Sequence, residues 1–347
     1  MSKPQARITP GRLRFGIAGR IMRHLPSYPR RHLLGLAPRH FGARVSFGDL
    51  LRFVEAGGPA TSFVLDTSDT AGVLRRFPAL ADVTVRKVCL GPEQPPARLY
   101  TRPGVPPRGA LVWTHGGAFV SGTLDANEAN WVARTLAARG HPVLTVGYRK
   151  AIGGVRYPLP GNDVMVGWRW AVANAHDVFG VPSWRLHLGG ASVGGTLVAS
   201  VVRRLLDDGL PHPASVLLAY PLLHSRLFPW DPAELAVVRR TAGDLYLSPD
   251  VIADACLHYA GPDHLTEPQA FPGEAPVHKN HPPTLVLTCE HDSLRTSGEL
   301  FVTRLRAAGV TTAHYRIPDA RHACLARPAT PQAEQAVQQL DSWLDRV

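Results

Sequence analysis

Cysteine is scarce and scattered in this chain. Cys89, Cys256, Cys289 and Cys324 are the only four in 347 residues, with no CxxC pair and no metal-ligand spacing. That pattern excludes a zinc module and reads as reduced, mostly buried thiols. Cys289 and Cys324 lie close in sequence to residues assigned below, so an oxidation-sensitive site stays open beside plain core packing. Long apolar runs are also missing. The chain is 45% apolar and 19% charged, yet no stretch approaches the roughly 18 consecutive apolar residues of a membrane span, and the body is expected to be soluble.

Acidic residues are absent from positions 1–48, which carry Lys3, Arg7, Arg12, Arg14, Arg20, Arg23, Arg30, Arg31, Arg39 and Arg44. Ten of the eleven net positive charges thus lie in this arm, and the rest of the chain carries +1. A nearly balanced remainder without an interleaved basic and aromatic stripe excludes a nucleic-acid partner. Within the arm, Leu13, Ile17, Ile21 and Leu25 recur every four residues with Arg12, Arg20 and Arg23 between them, as in a basic amphipathic helix. A solvated arm, or a helix covering the entrance to the main domain, is the plainer reading; weak membrane-surface contact through residues 1–48 is the alternative. No continuous apolar segment precedes a small-residue cleavage site, so a cytoplasmic location is expected, although an organelle-targeting peptide would share the Arg-rich, acid-poor composition.

What is present, from about residue 83, is alternation. VTVRKV (83–88), ARLYT (97–101), ALVWT (110–114), PVLTVGY (142–148), RLHLG (185–189), SVLLAY (215–220), PTLVLT (283–288) and AHYRI (313–317) read as eight strands. Helical stretches separate them near 126–139, 161–176, 194–208 and 295–308, and one near 331–346 closes the chain. This order predicts an α/β fold: a mostly parallel sheet covered by helices on both faces. Residues 1–80 precede the sheet, and 222–265 lie between two strands that a shorter connection would normally join. The latter contains FPWDPAELAVVRR and SPDVIADACLHYA, each with Asp or Ser before Pro at a helix start. The expected organisation is an arm with cap helices over 1–80, a first core segment over 81–221, a helical cap over 222–265 and a second core segment over 266–347.

Three stretches carry chemistry. LHLGGASVGGTLVAS (186–200) passes from strand to helix through Gly190-Ala191-Ser192-Val193-Gly194, the G-x-S-x-G spacing of a nucleophile elbow; a phosphate-cradling glycine loop is its rival. Asp292 follows the strand in TLVLTCEHDSLR, and His322 follows the next in HYRIPDARHACL. The chain order Ser, Asp, His is that of an α/β-hydrolase triad, with His322 taking the proton of Ser192 and Asp292 holding the imidazole. Glu290 competes with Asp292 but sits in the strand rather than at the rim. HGGAFVSG (115–122) then supplies bare backbone: the N–H groups of Gly116, Gly117, Ala118 and Val193 are expected to form an oxyanion hole, with His115 as loop organiser.

Together these stretches resemble the bacterial hormone-sensitive-lipase-like esterases, a branch of the α/β-hydrolase fold, over residues 80–347. The family's HGGG loop reads HGGA (115–118), its GDSAGG elbow GASVGG (190–195), its DPLRD motif DSLRT (292–296) and its HGF motif HAC (322–324); Tyr148-Arg149 resembles its YR pair. The departures are Ala118 for a glycine, and Ala191 and Thr296 for acidic residues. The resemblance implies a serine carboxylesterase acting on small-molecule esters of short to medium acyl chains, with a helical cap and no metal or organic cofactor. A lactone, an acetylated natural product or an amide would use the same residues, and a small-molecule-binding protein that had lost catalysis would lack one of them. Some of Leu222, Leu223, Leu227, Phe228 and Trp230 are expected to line the acyl pocket. A homodimer is left open.

Overall fold

The computed structural model describes residues 47–55 and 69–347. The amphipathic helix expected at residues 13–25, and with it the membrane contact expected of the arm, lie outside the described residues. Two helices precede the sheet, α1 (Phe47–Glu55) and α2 (Thr70–Arg76). The eight expected strands all form: β1 (Thr84–Val88), β2 (Ala97–Thr101), β3 (Ala110–Thr114), β4 (Val143–Val146), β5 (Leu186–Ala191), β6 (Val216–Ala219), β7 (Thr284–His291) and β8 (Thr312–Arg321). Their order across one sheet is β1-β2-β4-β3-β5-β6-β7-β8. β2 pairs antiparallel with β1 and β4, and every other pairing is parallel.

Helices α3 (Asn127–Ala138), α4 (Leu159–Ala173), α5 (Val193–Asp207), α8 (Arg295–Ala307) and α9 (Pro331–Leu344) cover both faces. α6 (Pro232–Ala242) and α7 (Pro249–Ala260) belong to the 222–265 connection. In β3 every residue is buried, because successive side chains point to opposite, equally covered faces. Leu111 and Trp113 join Trp131, Leu136, Val337 and Leu340 of α3 and α9. Ala110 and Val112 join the opposite core with Val164, Trp168, Leu197 and Val201 of α4 and α5. β1, at the sheet edge, leaves Arg86 and Lys87 exposed, charges that discourage pairing with another chain.

The 222–265 connection contains the two helices its sequence announces, α6 (Pro232–Ala242) and α7 (Pro249–Ala260). Asp231 accepts from the N–H groups of Ala233 and Glu234 at 2.9 and 3.1 Å, and Ser248 Oγ from Val251 N–H at 3.3 Å, with proline opening each helix. α7 buries Ile252, Cys256 and Tyr259 and meets α1, where Phe47 lies 5.5 Å from the His258 ring. β8 runs longer than its apolar core suggests. It pairs with β7 as far as His291 and Arg321, past a register shift between Cys289 and His291.

Candidate active site

Parallel pairing brings the carboxyl ends of β3, β5, β7 and β8 to one edge of the sheet, where open α/β folds bind ligands. At the end of β5 the chain turns so sharply that Ser192 adopts φ 53° and ψ −124°, a conformation costly for a residue with a Cβ. Its neighbours must be bare. A Cβ on Gly190 would lie 2.6 Å from the Gly194 carbonyl, and one on Gly194 2.5 Å from the carbonyl oxygens of Thr114 and His115.

The elbow aims Ser192 Oγ at His322 Nε2, 3.1 Å away. His322 Nδ1 donates to Asp292 Oδ2 at 2.7 Å, and Asp292 Oδ1 accepts the Leu294 N–H at 2.9 Å. All three side chains are buried. Burial by itself lowers the His322 imidazole, but the Asp292 carboxylate, through its charge and hydrogen bond, leaves it above its ordinary value. Glu290 is turned elsewhere, accepting the Asp319 N–H at 2.8 Å, so the rim residue and not the strand residue meets the histidine.

The glycine loop is held on both sides of its first peptide units. His115 Nδ1 and Tyr148 Oη both donate to the Gly116 carbonyl, at 2.6 and 2.9 Å. The His115 ring stacks on Tyr148 at 4.8 Å, and Lys150 Nζ stands 3.3 Å from its Nε2. Burial, with Lys150 beside it, holds the His115 imidazole well below its usual range and therefore neutral, as a loop organiser must be. Burial also brings the Lys150 ammonium down to about 7. One expectation needs correction. The Gly116 N–H is taken up by the Glu128 carboxylate at 2.6 Å and is not available to an oxyanion. The N–H groups of Gly117, Ala118 and Val193 have no partner among the described residues. Ala118 and Phe119 carry positive φ, 51° and 66°, as the chain folds back after Gly117, whose own φ is 126°.

A cavity opens on this edge between Ser192, His322, Gly117 and Ala118 and an apolar wall of Leu222, Leu247, Ile252, Ala255 and Leu294. Of the five apolar residues among which the sequence reading expected some to line an acyl pocket, Leu222 alone borders this cavity. Leu223 is fully buried beside Ser297, and the Trp230 ring lies under the Arg295 guanidinium at 4.3 Å. That guanidinium also binds Glu234 at 2.9 Å and the Glu290 carbonyl at 2.9 Å, clamping α6 to the end of β7. Arg149 of the YR pair is spent on Asp163, at 2.7–3.1 Å. Cys256, Cys289 and Cys324 are buried and Cys89 exposed; burial and the neighbouring Cys324 push the Cys289 thiol well up, which marks a packed thiol rather than a reactive one.

Glu128, Tyr220, Leu247, Ile252 and Ala255 went unmarked in the sequence. An acidic residue in a helix's first turn reads as a complement to the helix dipole, and the apolar residues of α7 read as packing. No local signal distinguishes them.

Sheet order, elbow and loop together define the α/β-hydrolase class. Residues 111–326 match the α/β-hydrolase fold family. The chain is 32% identical over 234 residues to the ethyl acetate hydrolase of Pseudomonas putida, covering 65% of this chain and 70% of that one. It is 32% identical over 225 residues to a carboxylesterase of Mycobacterium tuberculosis, covering 62% and 66%; the matches thus span about two thirds of these relatives. Among solved structures, a hyperthermophilic esterase from the archaeon Pyrobaculum calidifontis superposes with a TM-score of 0.68 at 26% identity, over 81% of this chain and 91% of that one. An esterase of the bacterial hormone-sensitive lipase family shares the fold over 98% and 99%, with a TM-score of 0.67 at 22% identity. The chain belongs to the α/β-hydrolase fold family and is a carboxylic ester hydrolase.

Among the described residues no helix is long and apolar enough to cross a membrane.

Proposed function

We propose that this chain hydrolyses esters of short to medium acyl chains through an acyl-enzyme on Ser192. The observation that carries the reading is the hydrogen-bonded run Ser192, His322, Asp292 opening onto an apolar cavity bordered by unpartnered backbone N–H groups. Ser192 Oγ attacks the ester carbonyl while its proton passes to His322 Nε2. The oxyanion accepts the N–H groups of Gly117, Ala118 and Val193, and Asp292 stabilises the imidazolium. His322 returns the proton to the leaving alkoxide. Water, activated by the same imidazole, then attacks the acyl-enzyme, and collapse of the second oxyanion frees the acid and restores Ser192.

The apolar wall of Leu222, Leu247, Ile252, Ala255 and Leu294 suits an acyl chain. The name of the Pseudomonas relative, ethyl acetate hydrolase, points to a short one. In this reading residues 222–265, with helices from the first 80 residues, act as the cap that closes the cavity. Hydrolysis of p-nitrophenyl esters from acetate to palmitate, by wild type beside Ser192→Ala, tests it. Activity peaking at short chains and falling at least roughly 10³-fold in the variant is expected. A folded wild type no faster than the variant on every ester overturns the reading.

A further inference from the structure

Glu128 is a buried carboxylate in the first turn of α3, 7% exposed, and no cation pairs with it among the described residues. An ionised carboxylate in such a place is expensive unless hydrogen bonds compensate it. Two do. Its Oε2 accepts the Gly116 N–H at 2.6 Å, and its Oε1 accepts the Tyr220 hydroxyl at 2.7 Å. Tyr220 follows β6 with φ 39°, and its ring stands edge-on to the His322 imidazole, centroids 5.3 Å apart. Burial, with the Glu128 charge beside it, drives the Tyr220 hydroxyl well above its ordinary value, so it stays a donor.

The same carboxylate is near the nucleophile. A Cβ built on Gly116 would lie 2.8 Å from Glu128 Oε2 and 2.9 Å from Ser192 Cβ. Gly116 is thus gripped at its N–H by Glu128 and at its carbonyl by His115 and Tyr148, and the next amide along, that of Gly117, is the first free donor of the loop. We infer that Glu128 is a positioning residue of the hydrolysis: it locks the oxyanion loop through Gly116 and anchors the His322 ring through Tyr220. The inference rests on the assignment of Ser192, His322 and Asp292 above. The charges and titratable groups facing His322 include Asp292 and Glu128, which favour its protonated form, and Arg327, which opposes it.

A structural role alone would lower stability and the amount of active enzyme, and leave the pH profile in place. The positioning role moves the profile. Removing the Glu128 charge takes away one interaction that favours the imidazolium, so the acid limb of kcat/KM shifts to lower pH in Glu128→Gln. The experiment compares wild type, Glu128→Gln, Glu128→Ala, Tyr220→Phe and Ser192→Ala on p-nitrophenyl butyrate, with active sites titrated by a fluorophosphonate probe and folding checked by circular dichroism. In Glu128→Gln and Tyr220→Phe, kcat per titrated site is expected to fall about 10-fold or more, and in Glu128→Ala about 10²-fold, with KM within roughly threefold of wild type, because the oxyanion donors and the imidazole are displaced rather than the substrate-binding wall. If Glu128→Ala does not fold, the two near-isosteric variants decide. Wild-type kcat and an unmoved acid limb in folded Glu128→Gln overturn the inference. Should Ser192→Ala retain full activity, the assignment of the nucleophile fails instead, a distinct outcome.

Discussion

Gly194 has no room for a methyl group. Its Cβ position lies 2.5 Å from the backbone oxygens of Thr114 and His115, and backbone cannot step aside as a flexible side-chain end can. Gly194→Ala therefore has to push α5 away from the end of β3, carrying Ser192 and the Val193 N–H out of register with Gly117. We expect a loss of roughly 1–3 kcal/mol in stability from overpacking, and a fall in kcat larger than stability explains, since a misplacement near 1 Å can cost about 10² in rate. Urea denaturation and single-substrate kinetics on the same preparation measure both. A variant as stable and as active as wild type would mean that the elbow is softer than its geometry. This constraint was legible in the sequence, because a G-x-S-x-G between an apolar run and a helix asks for bare backbone. The use of Gly116 was not: its partner, Glu128, lies twelve residues on in a helix and meets it only through the fold.

At the scale of elements, α7 supplies part of the cavity wall that the sequence reading assigned to the loop before α6. Leu223, Leu227, Phe228 and Trp230 are the more conspicuous apolar residues, yet Ile252 and Ala255 face the cavity with Leu222 and Leu247. The strands were legible because each is a short apolar or β-branched run, and the caps Asp231 and Ser248 were legible because each stands directly before a proline. Which face of α7 looks toward the cavity is set by how the 222–265 connection lies against the sheet, and no local pattern encodes that. Ala255 is the residue to enlarge. Ala255→Leu adds apolar volume to the cavity wall, so the butyrate-to-octanoate ratio of kcat/KM is expected to rise about 10-fold, of the order that a few methylenes of pocket space are worth. Leu227→Ala, away from the cavity, should leave that ratio where it was; equal ratios in both variants would move the acyl pocket elsewhere.

Over the whole molecule, buried histidines are expected to make the fold sensitive to acid. His187, in β5, has its Nδ1 2.8 Å from Ser215 Oγ, and His224, after β6, has its Nδ1 2.8 Å from Ser297 Oγ. Both rings are almost fully buried. Burial lowers each to about 4, with His141 and Arg185 adding to the effect at His187 and Arg304 at His224, where Glu274 opposes it. Because the folded value lies below the unfolded one of about 6.5, the unfolded chain takes up protons first as pH falls. Stability from these groups is thus intact above pH 6.5 and drains away between 6.5 and about 4, by up to about 3 kcal/mol for each ring. His322 has the opposite sign: its raised value favours the fold below its unfolded value, and that contribution is lost as pH rises through the folded one. The two tendencies do not cancel, since they act in different pH windows. Urea unfolding of wild type and His187→Gln at pH 7, 5.5 and 4.5 separates the histidine from the carboxylates that titrate alongside it. Wild type should lose stability more steeply, the difference approaching 1.4 kcal/mol per pH unit where one proton is linked. Parallel curves would mean that His187 is protonated equally in both states, and that its burial imposes no cost on its charge.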